Sequence, residues 1–286
     1  MIKTSRQLKA LVRNKSQGDN TKALYLIRSY AVERFLERVS ISSYKNNLVL
    51  KGGVLIASMI GIDQRFTMDV DTTLVRQTLS EENVRKIVEE IISIKLEDEM
   101  QFFINRVSRI MDESEYPGIR VQLDSVLETM STPIKIDFST GDVITPKEVE
   151  YKYPLLFEER VIPLMTYNVE TMLAEKLETI LSRGVENTRA RDFYDVYILK
   201  LTKSNEINYN ILNDALFATI KNRESMMLVK DANLIIDEIA SDVEMQGLWK
   251  NYQRKFSYAS DLGWQAVVLA VSELIKEIQS IGSADI

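Results

Sequence analysis

The sequence predicts an α/β (α+β) protein: an N-terminal domain with a mixed sheet over residues 1–160, then a mainly helical C-terminal domain over residues 161–286. Three observations carry this. Short apolar runs, some alternating, recur up to Phe138; four of the five prolines (Pro133, Pro146, Pro154, Pro163) punctuate the next stretch; and from Val169 onward the apolar residues follow the helical period.

The elements follow in order. Thr4 or Ser5 caps a first helix running to about Lys15, with Leu8, Leu11 and Val12 on one face. A second helix is expected from about Thr21 to Val39. Leu48-Val49-Leu50 reads as a short buried strand leading into Gly52-Gly53, followed by a helix over 54–60 and a strand over 66–74. An amphipathic helix is expected over 81–94. Residues 101–138 read as a strand meander broken at Tyr116-Pro117-Gly118, clearest over 119–127 and 134–138. The proline-rich zone reads as turns leaving the first domain. Helices are then expected over 169–183, 188–200, 208–221, 225–238 and 263–278, with the stretch after about Asn208 read as scaffold closing the active-site cleft.

Composition narrows the chemistry. The chain has neither Cys nor His, which excludes disulfides, thiolate or imidazole metal sites, and catalysis by a Ser-His-Asp or Cys-His constellation. Acid–base or metal chemistry must rest on Asp, Glu, Lys, Tyr or Arg, and a bound metal must prefer oxygen ligands. No stretch approaches the ~18–20 apolar residues of a membrane span, and the first residues lack a secretory apolar run, so a cytoplasmic protein with no membrane partner is expected. Net charge is −6, unevenly spread: residues 1–50 carry ten Lys or Arg against Asp19, Glu33 and Glu37. A basic end on an acidic body binds polyanions locally, or is a solvated helix face. On the first reading Lys9, Arg13 and Lys15 meet the polyanion, with Tyr25, Tyr30 and Tyr44 in the same stretch.

The acidic residues are the informative ones. In a strand, Asp69 and Asp71 project to the same face, and two carboxylates so close resist ionising together unless a cation lies between them. Asp137, in Ile134-Lys135-Ile136-Asp137, would complete a site for one or two Mg²⁺ (or Mn²⁺) ions from a neighbouring strand. Gly52-Gly53 between strand and helix lets phosphate approach backbone N–H groups, or is a plain tight turn. Arg191 and Asp195, spaced i, i+4, fit an ordinary helix-surface ion pair.

Taken as a set, Leu50-Lys51-Gly52-Gly53, Arg65-Phe66-Thr67-Met68-Asp69-Val70-Asp71, Ile136-Asp137-Phe138-Ser139, Glu175-Lys176 and Arg189-Ala190-Arg191-Asp192-Phe193-Tyr194-Asp195 resemble the AbiEii/AbiGii nucleotidyltransferase-like toxins of bacterial abortive-infection and toxin–antitoxin systems. The resemblance spans about residues 50–197. It implies a nucleotidyltransferase-like N-terminal domain and transfer of a nucleotide from an NTP to an RNA acceptor, the 3′ end of tRNA in some members, with a cognate antitoxin as partner. It also implies residue roles. Asp69 and Asp71 hold Mg²⁺, and Asp137 holds metal or accepts a proton. Lys51, Gly52 and Gly53 meet phosphate; Lys176 neutralises triphosphate charge; Asp192 orients Lys176 or serves as base. Arg65 and Arg191 hold phosphate or brace carboxylates. One departure stands out: where the family commonly has a hydroxyl after the glycines, this chain has Val54, and Ser58 one turn later is a poor substitute. Transfer to a protein or small molecule, and a silent nucleotide-binding or partner-binding module, are the competing readings.

Overall fold

The computed structural model describes residues 1–67, 69–110, 118–226 and 228–282, and the chain forms two compact units. Met68 of the acidic motif and the Tyr116-Pro117 turn lie outside the described residues.

The first unit comprises residues 1–59, 66–141 and 149–166. Its elements are α1 (Ser5–Ser16), α2 (Asn20–Ile41), β1 (Leu48–Lys51), α3 (Gly52–Ile60), β2 (Asp69–Leu74), α4 (Glu81–Ile92), β3 (Met100–Ile110), β4 (Gly118–Leu127), β5 (Met130–Ser139), β6 (Val149–Pro154) and β7 (Val161–Thr166). The strands form one mixed sheet in the order β3-β4-β5-β2-β1-β7-β6. Thr4 caps α1 through a reciprocal capping box with Gln7.

Alternation in β4 and β5 explains why the sheet has two different faces. Ile119, Val121, Leu123 and Leu127, with Ile134, Ile136 and Phe138, are buried on the side where α2 and α4 pack. Their neighbours Arg120, Gln122, Lys135 and Asp137 stand half-buried or exposed on the opposite face.

Two expectations are corrected here. The proline zone is not only turns: β6 and β7 form an antiparallel pair, Val149↔Thr166 to Pro154↔Val161. Its prolines are tolerated because β6 is the sheet edge and β1 meets β7 at Leu50↔Thr166, the end of β7 away from Pro163. Nor is the basic excess of residues 1–50 all at the surface. Arg34 is buried and pairs with Glu37 and Glu158; Arg38 is buried and forks onto Asp98 at 2.8 and 2.9 Å. These cations brace α2 against its own unit.

The second unit comprises residues 60–65, 142–148 and 167–286. It contains α5 (Val169–Arg183), α6 (Ala190–Lys203), α7 (Tyr209–Asn222), α8 (Leu228–Ser241), α9 (Val243–Lys255) and α10 (Trp264–Gly282). Asn168 caps α5 by accepting from the Thr171 N–H at 2.8 Å. α5 packs on α6 and α7, and α10 packs on α6, α7 and α8. The helix α9 was not anticipated, since Gly247 interrupts its pattern. Its Trp249 and Tyr252 join Tyr194, Trp264 and the half-buried Tyr258 in an aromatic cluster, with the Trp249 indole donating to the Leu262 carbonyl at 2.8 Å. No helix among the described residues is long and apolar enough to cross a membrane.

Candidate active site

In the first unit the acids are placed by strand register. Lys51 pairs with Asp71, Asp71 with Asp137, and Asp137 with Arg120, so the four form one row across β1, β2, β5 and β4. Directly paired residues share a face, so this row reads cation, acid, acid, cation. A second row runs Asp69, Lys135, Gln122, Arg106. Asp69 and Asp71 stand two residues apart on β2 with buried Val70 between them on the other face.

Gly52 sets the position of Asp71. It has φ +69°, in the left-handed region, and a Cβ there would run into the Asp71 carboxylate. The turn from β1 into α3 and the second acid of β2 are thus packed as one piece. A Gly52→Ala variant is expected to lose about 1–2 kcal/mol from backbone strain. It should also lose roughly 10²-fold in activity, because Asp71 is pushed aside. An activity assay beside a thermal melt checks this; an active variant of normal stability would refute the packing.

Gly53 and Val54 are buried, so the side chain that follows the two glycines is spent on core packing. The Ser58 hydroxyl donates to the Leu55 carbonyl at 2.7 Å, within its own helix.

Asp137 has a partner the sequence did not disclose. The Arg120 guanidinium forks onto it, Nε to Oδ1 at 2.7 Å and Nη2 to Oδ2 at 2.6 Å. Register pairing of β4 with β5 is what brings them together; a separation of 17 positions and a hairpin hide it in the sequence. Among the described residues no three acids are grouped closely enough to hold a metal ion. Asp69 and Asp71 supply the hard oxygen donors that Mg²⁺ takes and so fit it as a pair, while Asp137 is engaged by Arg120.

The basic residues Lys9, Arg13 and Lys15 are exposed on α1. The first turn of α1 is tied to the β4–β5 turn, Ser5 donating from its hydroxyl (2.7 Å) and N–H (3.0 Å) to Glu128. From Met130 to Asp137 β5 advances seven residues, about 23 Å, so this anchor lies far along the sheet from the acids. Of the tyrosines, Tyr30 is buried, Tyr25 stacks on Phe66 with ring centroids 4.6 Å apart, and Tyr44 donates to Glu90 at 2.8 Å.

The second unit holds the remaining motif residues. Lys176 on α5 pairs with Asp192 at 2.9 Å and with Asp195 at 2.9 Å, both on α6. Arg65 donates to Asp195 from Nε at 2.6 Å. Asp195 is fully buried and Arg65 is 5% exposed. Burial alone raises a carboxyl pKa, yet the charges of Arg65 and Lys176 overcome it and hold Asp195 at about 2. Burial likewise opposes the charged form of Lys176, and Asp192 and Asp195 outweigh it to raise its pKa. Tyr194 closes the group, donating to the Gln64 carbonyl at 2.5 Å.

This corrects the reading of Asp195 as half of a surface pair with Arg191. Asp195 is turned inward to Arg65 and Lys176, and Arg191 is exposed on α6. Nothing in the i, i+4 spacing reveals this, because the true partners come from α5 and the segment around Arg65. The local clue was the apolar company of Asp195: Phe193, Tyr194 and Val196 are all buried.

No curated protein matches the chain. Solved structures that the chain is similar to in fold include a Helicobacter pylori protein inferred to be a nucleotidyltransferase (15% identity, 90% of this chain and 95% of that one, TM-score 0.49) and JHP933 from Helicobacter pylori (17% identity, 92% and 98%, TM-score 0.47). The family model described as nucleotidyl transferase AbiEii toxin, type IV toxin–antitoxin system, matches residues 34–270. That match runs through both the acid-bearing strands and the Lys176–Asp192–Asp195 helices, and the chain belongs to the AbiEii nucleotidyl transferase toxin family.

Proposed function

We propose that this protein transfers a nucleotide from an NTP to an RNA acceptor, the 3′ end of tRNA, as the cytoplasmic toxin partnered by a cognate antitoxin. The observation that carries the reading is the pairing of Asp69 and Asp71 on one face of β2, with Asp71 lodged against the Gly52 turn at the start of α3. Asp69 and Asp71 would hold Mg²⁺, which when bound supplies charge neutralisation for the phosphates and the attacking oxygen. Lys51 and the backbone N–H groups of Gly52 and Gly53 meet phosphate at the helix start. Lys176, kept protonated by its two acids, supplies a compact cation. Asp192 accepts from it at 2.9 Å, which favours the orienting role over that of a base.

Lys9, Arg13 and Lys15 bind the acceptor's phosphate backbone. A stacked strand advancing ~3.4 Å per nucleotide covers about 23 Å, the run of β5 from Met130 to Asp137, in roughly seven nucleotides. Burial of Val54, with its lost hydroxyl, favours a second reading as a silent nucleotide-binding module.

The test is incubation of the protein with Mg²⁺, each labelled NTP in turn and total bacterial tRNA, beside Asp69→Asn. Label on tRNA with the native protein and none with the variant is the expected result, and it names the nucleotide. Mg²⁺-dependent NTP binding without pyrophosphate release would select the silent module instead. Pyrophosphate release with label on protein or a small molecule would replace the acceptor.

A further inference from the structure

We propose that Arg120 is a positioning residue that holds the third acid, Asp137, back from the metal carried by Asp69 and Asp71. This rests on the metal reading above and adds to it a device that no motif of the chain announces.

The argument begins with register. Asp71 and Asp137 are direct neighbours on parallel strands, so their backbones stand about 4.8 Å apart and their side chains share a face. Unpaired, two such carboxylates repel. The row supplies a cation on each side, Lys51 next to Asp71 and Arg120 next to Asp137. Of the two acids, Asp71 is confined by the close approach of Gly52. Asp137 is instead turned to Arg120, which contacts both its oxygens at 2.7 and 2.6 Å. A divalent ion and a guanidinium sharing one carboxylate repel each other, so Asp137 joins the metal only as Arg120 lets go.

The release needs no backbone movement. β4 is hydrogen-bonded to β3 on one side and β5 on the other, so the strand carrying Arg120 is fixed. The pair itself is partly open, the Arg120 side chain 33% and that of Asp137 18% exposed. An ion pair at such a surface is screened and readily exchanged for water, unlike the buried Arg65–Asp195 contact. The resting site is therefore a two-carboxylate site with its third ligand in reserve.

The experiment titrates Mn²⁺, read by its electron paramagnetic resonance signal, into the full chain without nucleotide or RNA. Five proteins are compared: native, Arg120→Gln, Asp137→Asn, the double variant, and Arg120→Lys, which keeps the charge and loses the fork. Arg120→Gln should bind Mn²⁺ about tenfold tighter, because Asp137 is released. Asp137→Asn alone should change affinity less than about threefold, and the double variant should fall back to the native value. Arg120→Lys should lie between native and Arg120→Gln. Native-like affinity in Arg120→Gln, while the native protein binds Mn²⁺ through Asp69, overturns the proposal and leaves the metal reading standing. A large loss in Asp137→Asn alone also overturns it, since Asp137 would then already be a ligand. Absence of Mn²⁺ binding in every protein overturns both.

Discussion

Asp195→Asn is expected to destabilise the helical unit by about 3–5 kcal/mol, the cost of leaving buried charges without their partner. Two cations converge on this one carboxylate, Arg65 at 2.6 Å and Lys176 at 2.9 Å, and the variant removes the charge both depend on. Asn offers one acceptor oxygen in place of two, so at least one buried N–H loses its partner. Both tryptophans, Trp249 and Trp264, belong to this unit, so urea unfolding followed by their fluorescence reports the effect directly. The same residue governs acid sensitivity. Its pKa is depressed in the folded state, from an ordinary 3.8 to about 2, so its contribution is whole above pH 4 and disappears as pH falls from about 4 to about 2. The variant should lack that portion of the acid transition. A native-like midpoint, or an unchanged acid limb, would mean that the cluster does not hold the unit together.

Asp71→Asn is expected to lower nucleotide transfer by roughly 10³-fold or more while leaving the fold intact, because in the proposed reading it removes a charge on which metal and phosphate both depend. The substitution is nearly isosteric, so the close packing on Gly52 survives and the loss is electrostatic. Circular dichroism and the fluorescence midpoint should match the native protein, while the rate of label transfer to tRNA collapses. Retention of more than about a tenth of the rate would remove Asp71 from the chemistry.

The two variants separate the roles of acids that look alike in sequence. Asp71 and Asp195 each follow another Asp at short range in a motif, yet one stands half-buried on a sheet face and the other is fully buried between helices. Substitution of the first should cost activity with little stability; substitution of the second should cost stability first.

Most helices and strands were legible because their signals are local: a period of 3.6 in α1 and α4, alternation in β4 and β5, a capping threonine ahead of α1. The common face of Asp69 and Asp71 was legible for the same reason, since an i, i+2 spacing fixes it in any strand. β6, β7 and α9 were not, because Pro163 and Gly247 interrupt patterns that the surrounding sheet and aromatic packing restore.

By itself, then, the sequence determined a chain whose chemistry must rest on carboxylates and cations, the order of its elements, and the pairing of two acids on one strand. Only the tertiary structure decided which charge meets which. Arg120 reaches Asp137 through strand register, Arg65 and Lys176 reach Asp195 through helix packing, and Arg34 and Arg38 are withdrawn from the basic end into the interior. Ion pairs act across a few ångströms of space whatever their separation along the chain, so spacing in sequence cannot assign them.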